Sequence, residues 1–145
     1  MPIAGAETEA FDVHDIGGTV GWADKRIGGL DYHRAFLVPP GVSAFSPAHE
    51  LKGFPRQVED GTWQSEGWGV NGCGQVVGLA TTPTSSWRAF LFQPGASALT
   101  DLTALAPAGW VLTSAIGISD AGHIVGSGTK NGASRQYIMY PQPQE

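Results

Sequence analysis

Two kinds of short apolar run alternate with tight turns along this chain, and the same pair recurs. Val76–Ala80 (V-V-G-L-A) and Arg88–Phe92 (R-A-F-L-F) are rich in β-branched and aromatic residues and too short for helices. The first follows a turn of the type N-x-x-G, and the second ends at Pro94-Gly95. No window places apolar residues at i, i+3, i+4 and i+7 between charged flanks, so the pattern predicts an all-β chain with almost no helix.

Aligning the chain with itself organises these runs into units. Val76-Val77-Gly78 returns 48 residues on as Ile124-Val125-Gly126, and Arg88-Ala89-Phe90-Leu91 returns at the same offset as Gln136-Tyr137-Ile138-Met139. Two motifs sharing one offset make a repeat. A looser copy stands earlier, with Thr19–Ala23 on Val76–Ala80 and Arg34–Leu37 on Arg88–Leu91, at offsets of 57 and 54. Each unit predicts a strand a: Trp63–Asn71, Trp110–Ser119 and a shorter Phe11–Asp15. An Asn/Asp/Gly turn leads to strand b (His123–Thr129 in the last unit). A polar connection such as T-K-N-G-A-S leads to strand c (Gln136–Tyr140), and a short strand d is expected at Ala98–Leu102. The expectation is one repeat domain over 1–145, with units near 11–45, 62–102 and 103–145 and a linker at 46–61. Four antiparallel strands in roughly 40–50 residues is the size of a propeller blade.

The repeated motifs resemble the HAF-repeat family of extracellular repeat proteins. Units of that family carry G-I-N-x-x-G-Q-V-V-G followed by H-A-F-L-W. Here the first element stands as G-V-N-G-C-G-Q-V-V-G (Gly69–Gly78) and G-I-S-D-A-G-H-I-V-G (Gly117–Gly126). The second stands as H-R-A-F-L from His33 and W-R-A-F-L from Trp87, and Leu102–Gly128 looks like a closing repeat. The resemblance implies a β-propeller-like architecture and an exported origin, and supplies no activity or catalytic residues. About three units cannot close a ring, and an open sheet edge invites pairing with another chain. A closed oligomer is therefore expected, with a homodimer completing six units.

Composition narrows the function classes. With 145 residues there is length for one domain with a real core, and 21 Gly with 10 Pro suit many strands and tight turns. The net charge is −5 and the 8 Lys and Arg are scattered, which argues against nucleic-acid binding. No apolar run approaches the roughly 20 residues of a membrane span. The first ten residues lack the basic and apolar regions of a signal peptide, so a soluble, untargeted chain is expected. A single cysteine, Cys73, excludes an intrachain disulfide.

Candidate chemistry gathers at the a–b turns. The alignment sets His14 with Asn71 and Ser119, Asp15 with Gly72 and Asp120, Cys73 with Ala121, and His123 with Gln75. His14, Asp15, Cys73, Asp120 and His123 should therefore crowd one rim, with His33 at the opposite rim. Two imidazoles and a carboxylate there would suit a divalent metal such as zinc, with His14 and His123 meeting across a subunit junction. Asp and Asn at such positions are also ordinary turn formers that cap their own backbone. Cys73 would serve as a nucleophile if His123 lowered its pKa, and otherwise is a passive thiol. Trp22 and Trp87, near strand ends, are candidates for a glycan platform, although tryptophans at repeat positions pack first. No G-x-S-x-G elbow or Gly-rich strand-to-helix loop is present. The leading expectation is a non-catalytic binding or scaffold module from an extracellular β-propeller-like repeat protein. The alternative is a small metal-dependent hydrolase of esters or phosphoesters at the turn face.

Overall fold

The computed structural model describes residues 7–57 and 61–141, and among them there is no α-helix. Three antiparallel sheets follow one another in sequence order. The first holds β1 (Thr8–His14), β2 (Gly18–Ile27) and β3 (Leu30–Val38). The second holds β4 (Ser65–Val70), β5 (Val76–Thr81), β6 (Trp87–Phe92) and the two-residue β7 (Thr100–Asp101). The third holds β8 (Trp110–Ile118), β9 (Ile124–Lys130) and β10 (Ala133–Met139). The all-β expectation and the three hairpin-built units are what the chain forms.

The ladders show why the repeat has its sequence. Gly21, Gly78 and Gly126 stand at one equivalent place, each facing strand a on one side and Phe36, Phe90 or Tyr137 on the other. Just beyond, each strand a carries an inserted residue, Phe11, Trp68 or Ile116, and β8 carries a second at Thr113. Beside this bulge the strands run so close that side chains are excluded. A Cβ on Gly21, Gly78 or Gly126 would fall 1.8, 1.9 or 2.0 Å from the carbonyl oxygen of Glu9, Glu66 or Ser114. The glycine of the V-V-G motif is thus a packing requirement.

The same ladders correct one alignment. Phe90 faces Gly78 and Tyr137 faces Gly126, so strand c repeats at 47 residues while strand b repeats at 48. The cause is the b–c connection. In the third unit Lys130 pairs with Ala133 across a two-residue Asn131-Gly132 turn, both residues at positive φ. The expected polar connection T-K-N-G-A-S is mostly strand.

Each consecutive pair of sheets encloses a core. Between the first and second sheets lie Val20, Ala35, Val70, Val76, Ala80 and Phe90. Between the second and third lie Val77, Ala89, Leu112, Ala115, Ile124 and Tyr137. Alternation along strand b sends Val76 back to the first sheet and Val77 forward to the third, so the second sheet is apolar on both faces. Tyr137 is buried enough that its phenol pKa is pushed well above the usual value, and its Oη donates to the Ser114 carbonyl (2.7 Å).

A fourth strand position is filled differently in each unit. In the second unit Asp101 pairs with Phe90, and Leu102, buried in the second core, opens a 3-10 turn over Leu102–Leu105. In the first unit Glu50 makes a bridge to Phe36, and the Leu51 N–H donates to the Ala35 carbonyl (2.9 Å). The stretch expected as a linker therefore holds the first unit's fourth strand position, and Leu51 and Phe54 belong to the first core. Arg34 ties this stretch down: its guanidinium ion-pairs with Glu50 (3.3 Å), lies 3.6 Å over the Trp63 ring and donates to the Gly61 and Trp63 carbonyls. In the third unit no strand among the described residues pairs with the outer edge of β10.

Candidate functional site

The three a–b turns meet at one rim, as the alignment placed them. Each has three residues between the closing pair, and each is capped by a side chain from its first position. Asn71 Oδ1 accepts from the backbone N–H groups of Cys73 (3.1 Å) and Gln75 (3.0 Å). Ser119 Oγ accepts from the His123 N–H (3.0 Å). His14 does the same with a ring nitrogen, its Nδ1 accepting from the N–H groups of Ile16 (3.1 Å) and Gly17 (3.4 Å).

That use of Nδ1 assigns the proton to Nε2. His14 Nε2 lies 3.1 Å from Asp120 Oδ1, which also accepts from the Gly72 N–H (2.8 Å). One carboxylate oxygen of the third unit therefore joins the turns of the first and second. The Gly72 N–H, and after it the His14 ring, holds the Asp120 carboxyl below its usual pKa. Asn71 Nδ2 donates to the Ser119 carbonyl (3.0 Å), and Asp12 Oδ2 accepts from the Val70 N–H (3.1 Å), so the rim is cross-linked by hydrogen bonds throughout.

The remaining candidates disperse. His123 is exposed and packs its ring edge-on to Tyr140, centroids 5.1 Å apart, so His14 meets the third unit at Asp120 and within one chain. Asp15 is exposed on the first turn. Cys73 is an exposed free thiol whose backbone N–H serves the turn. Among the described residues no group of three or more His, Cys, Asp and Glu is placed to hold a metal ion. Trp22 is 7 % exposed with one ring face covered by the His33 imidazole (3.6 Å, 8°), so it presents no open face for a sugar. Trp87 is half-buried at the start of β6, at the register that His33 occupies in β3.

A second cluster, between the first and second sheets, was not legible in the sequence. His33 Nδ1 lies 2.8 Å from Glu66 Oε2, and its Nε2 lies 3.7 Å from Asp24 Oδ1. Glu66 Oε1 accepts from Trp68 Nε1 (3.1 Å), and the Trp68 ring stacks on Phe11 (4.1 Å, 9°). An imidazole between two carboxylates can shuttle a proton, yet no hydroxyl or thiol is hydrogen-bonded to it among the described residues. The cluster's geometry joins two sheets. Its only sequence signal was the bulge position that Phe11 and Trp68 share.

Compared with protein-family models, with curated proteins and with solved structures, this chain finds no match.

Proposed function

We propose that this chain is a non-catalytic binding or scaffold module of the extracellular, β-propeller-like repeat type that its HAF-like motifs suggest. The observation that carries the reading is the state of the rim. His14 Nδ1 is spent on capping its own turn, and its Nε2 and Asp120 Oδ1 are spent on joining the three turns and face one another instead of a common ligand point. A hydrolytic site needs an open coordination position or an activated nucleophile held next to its base. The HAF-like motifs lie in strands and turns that build the sheets, which fits a module that works by presenting surface.

Uncovered positions on the third sheet support an association role. Val77 is fully buried against the third sheet, whereas its equivalent Val125 is 39 % exposed. Leu91 packs on the second core, whereas its equivalent Ile138 is 57 % exposed. Val125 and Ile138 are the apolar positions at which a second copy would make a weak, reversible contact.

Thermal unfolding with zinc and with EDTA, run beside native mass spectrometry, tests the reading. A scaffold keeps its Tm within about 1 °C in both and carries no metal. A zinc-dependent rise in Tm that His14→Ala and His123→Ala abolish would overturn it in favour of the metal-dependent hydrolase.

A further inference from the structure

We propose that the outer edge of β10, with the groove beside it, is a docking site for an extended peptide strand of the pattern apolar–x–acid–Leu supplied by another polypeptide. This deepens the binding-module reading by naming its ligand class, and rests on it.

The argument starts from what the chain does with the same place in its own second unit. There β7 runs along the edge of β6 with Asp101 opposite Phe90. The neighbouring side chains go to both sides: Leu99 is buried in the first core, Leu102 in the second. The first unit repeats the motif as Glu50-Leu51, with Glu50 opposite Phe36. Both fourth strands thus read acid–Leu at the same register, and unit two adds an apolar residue two places before the acid.

In the third unit the receiving surface is built, and among the described residues no strand fills it. Tyr137 stands where Phe90 and Phe36 stand, and β10 is the edge of its sheet among the described residues. Setting Glu50 on Asp101 sets Phe54 on Leu105. Phe54 is 6 % exposed because it packs in the core that Leu99 also fills, whereas Leu105 is 62 % exposed. Beside Leu105 lies an open groove of about 340 Å³, lined by Ala106, Trp110, Leu112, Tyr137 and Met139. By the repeat it is where the residue equivalent to Leu99 would fall, and it is large enough for a leucine side chain.

Charge adds a match drawn from the first unit, whereas in the second Asp101 caps the Thr103 N–H and Arg88 bonds the Trp87 carbonyl. Arg34, Arg88 and Arg135 share one register, opposite Ala23, Ala80 and Gly128. Arg34 holds Glu50, the acid of the first unit's fourth strand position, diagonally across the edge. Arg135 is exposed, bonds the Ser134 carbonyl (2.8 Å), and has no carboxylate within ion-pair distance among the described residues. An incoming acid opposite Tyr137 would sit diagonal to Arg135 as Glu50 does to Arg34. Main-chain hydrogen bonds to the β10 edge would supply affinity, and the groove and Arg135 would supply specificity.

Fluorescence anisotropy with a labelled copy of residues 96–104, Ala-Ser-Ala-Leu-Thr-Asp-Leu-Thr-Ala, tests this on the full chain. Saturable binding is expected, weakened at least about tenfold when the peptide's first Leu is changed to Ser. Arg135→Glu weakens binding about tenfold, and a peptide with Lys in place of its Asp restores it to that variant. Slowed amide exchange in β10 accompanies binding, and Val125→Ser, on the sheet face, leaves the affinity unchanged. Absence of binding, or binding indifferent to Arg135→Glu and Leu105→Ser, overturns the site. Such a failure leaves the module reading standing, because that reading falls on metal dependence and this one does not.

Discussion

Gly78→Ala is the sharpest test of how the repeat folds. The new Cβ would lie 1.9 Å from the Glu66 carbonyl oxygen and near the Phe90 ring edge (3.0 Å). Carbon and carbonyl oxygen normally approach to about 3.3 Å, so more than about 1 Å must be found by parting β4 from β5. β5 is held on its other side by β6, and β4, the edge of its sheet, is packed against the first and third sheets, which leaves little freedom to part. Ordinary overpacking costs about 1–3 kcal/mol, and losing ladder bonds beside the bulge adds to it. We expect about 4 kcal/mol, a large part of the 5–15 kcal/mol typical of a domain. At about 2–4 °C per kcal/mol for this size, the melting point falls by about 8–16 °C. Gly132→Ala is the control. Its φ is +84° with open space around it, so it bears only the left-handed backbone strain of about 1–2 kcal/mol. Urea unfolding followed by tryptophan fluorescence gives both values. Equal costs for the two substitutions would refute the close-approach argument for the V-V-G glycine.

Two further outcomes follow from the polar junctions. Because its folded-state pKa is depressed, Asp120 contributes stability above its unfolded value near 3.8 and loses it as pH falls through the folded value. Urea midpoints between pH 6 and 3 should therefore fall less steeply below about pH 4 in Asp120→Ala than in the parent. Arg34 is 3 % exposed, and burial opposes its charge while Glu50 offsets that. Arg34→Ala leaves two carbonyls without their donor and Glu50 with Lys25 alone, and should cost about 3 kcal/mol in the same urea assay, whereas a cost below about 1 kcal/mol would mean the 46–57 stretch is held by Leu51, Phe54 and the Lys25–Glu50 pair.

What the sequence disclosed was the periodic part of the structure. The V-V-G and R-A-F-L runs announce strands because each needs apolar residues on both faces, and the a–b turns align because each must place its cap in the same position. The alignment even set His14 with Asn71 and Ser119, which all three serve as backbone caps. Non-periodic pairings were hidden. Glu50-Leu51 sits among Pro47, Gly53 and Pro55 and reads as a spacer, since a two-residue strand has no alternation to detect. Its role depends on a partner edge, as does that of Asp101. The His33–Glu66 contact spans 33 residues and two units, and no local spacing signals it. Trp22 sits near a strand end, where exposure was a fair expectation, and only the sheet packed over it explains its burial.

The uncovered face of the third sheet allows a stricter argument about how the stack ends. Following one register through the units, Trp22 becomes Leu79 and then Ser127. His33 becomes Trp87 and then Ser134, and Ala35 becomes Ala89 and then Gln136. Each forward face that meets another sheet carries large or apolar residues at these places, and the third sheet's, which meets none among the described residues, carries small polar ones. This is the pattern of a repeat face that meets water instead of another sheet. It leaves Val125 and Ile138 as the apolar remainder, an area that supports weak self-association only. Restoring the second unit's residues with Ser127→Leu, Ser134→Trp and Gln136→Ala adds two large apolar side chains, each contributing about 1.5–3 kcal/mol if buried. Two such faces meeting about a two-fold axis double the gain. Sedimentation velocity at micromolar concentration should show the triple variant at higher mass than the parent. Identical sedimentation of the two proteins would mean that the third sheet's outer face is not equivalent to the faces its neighbours bury.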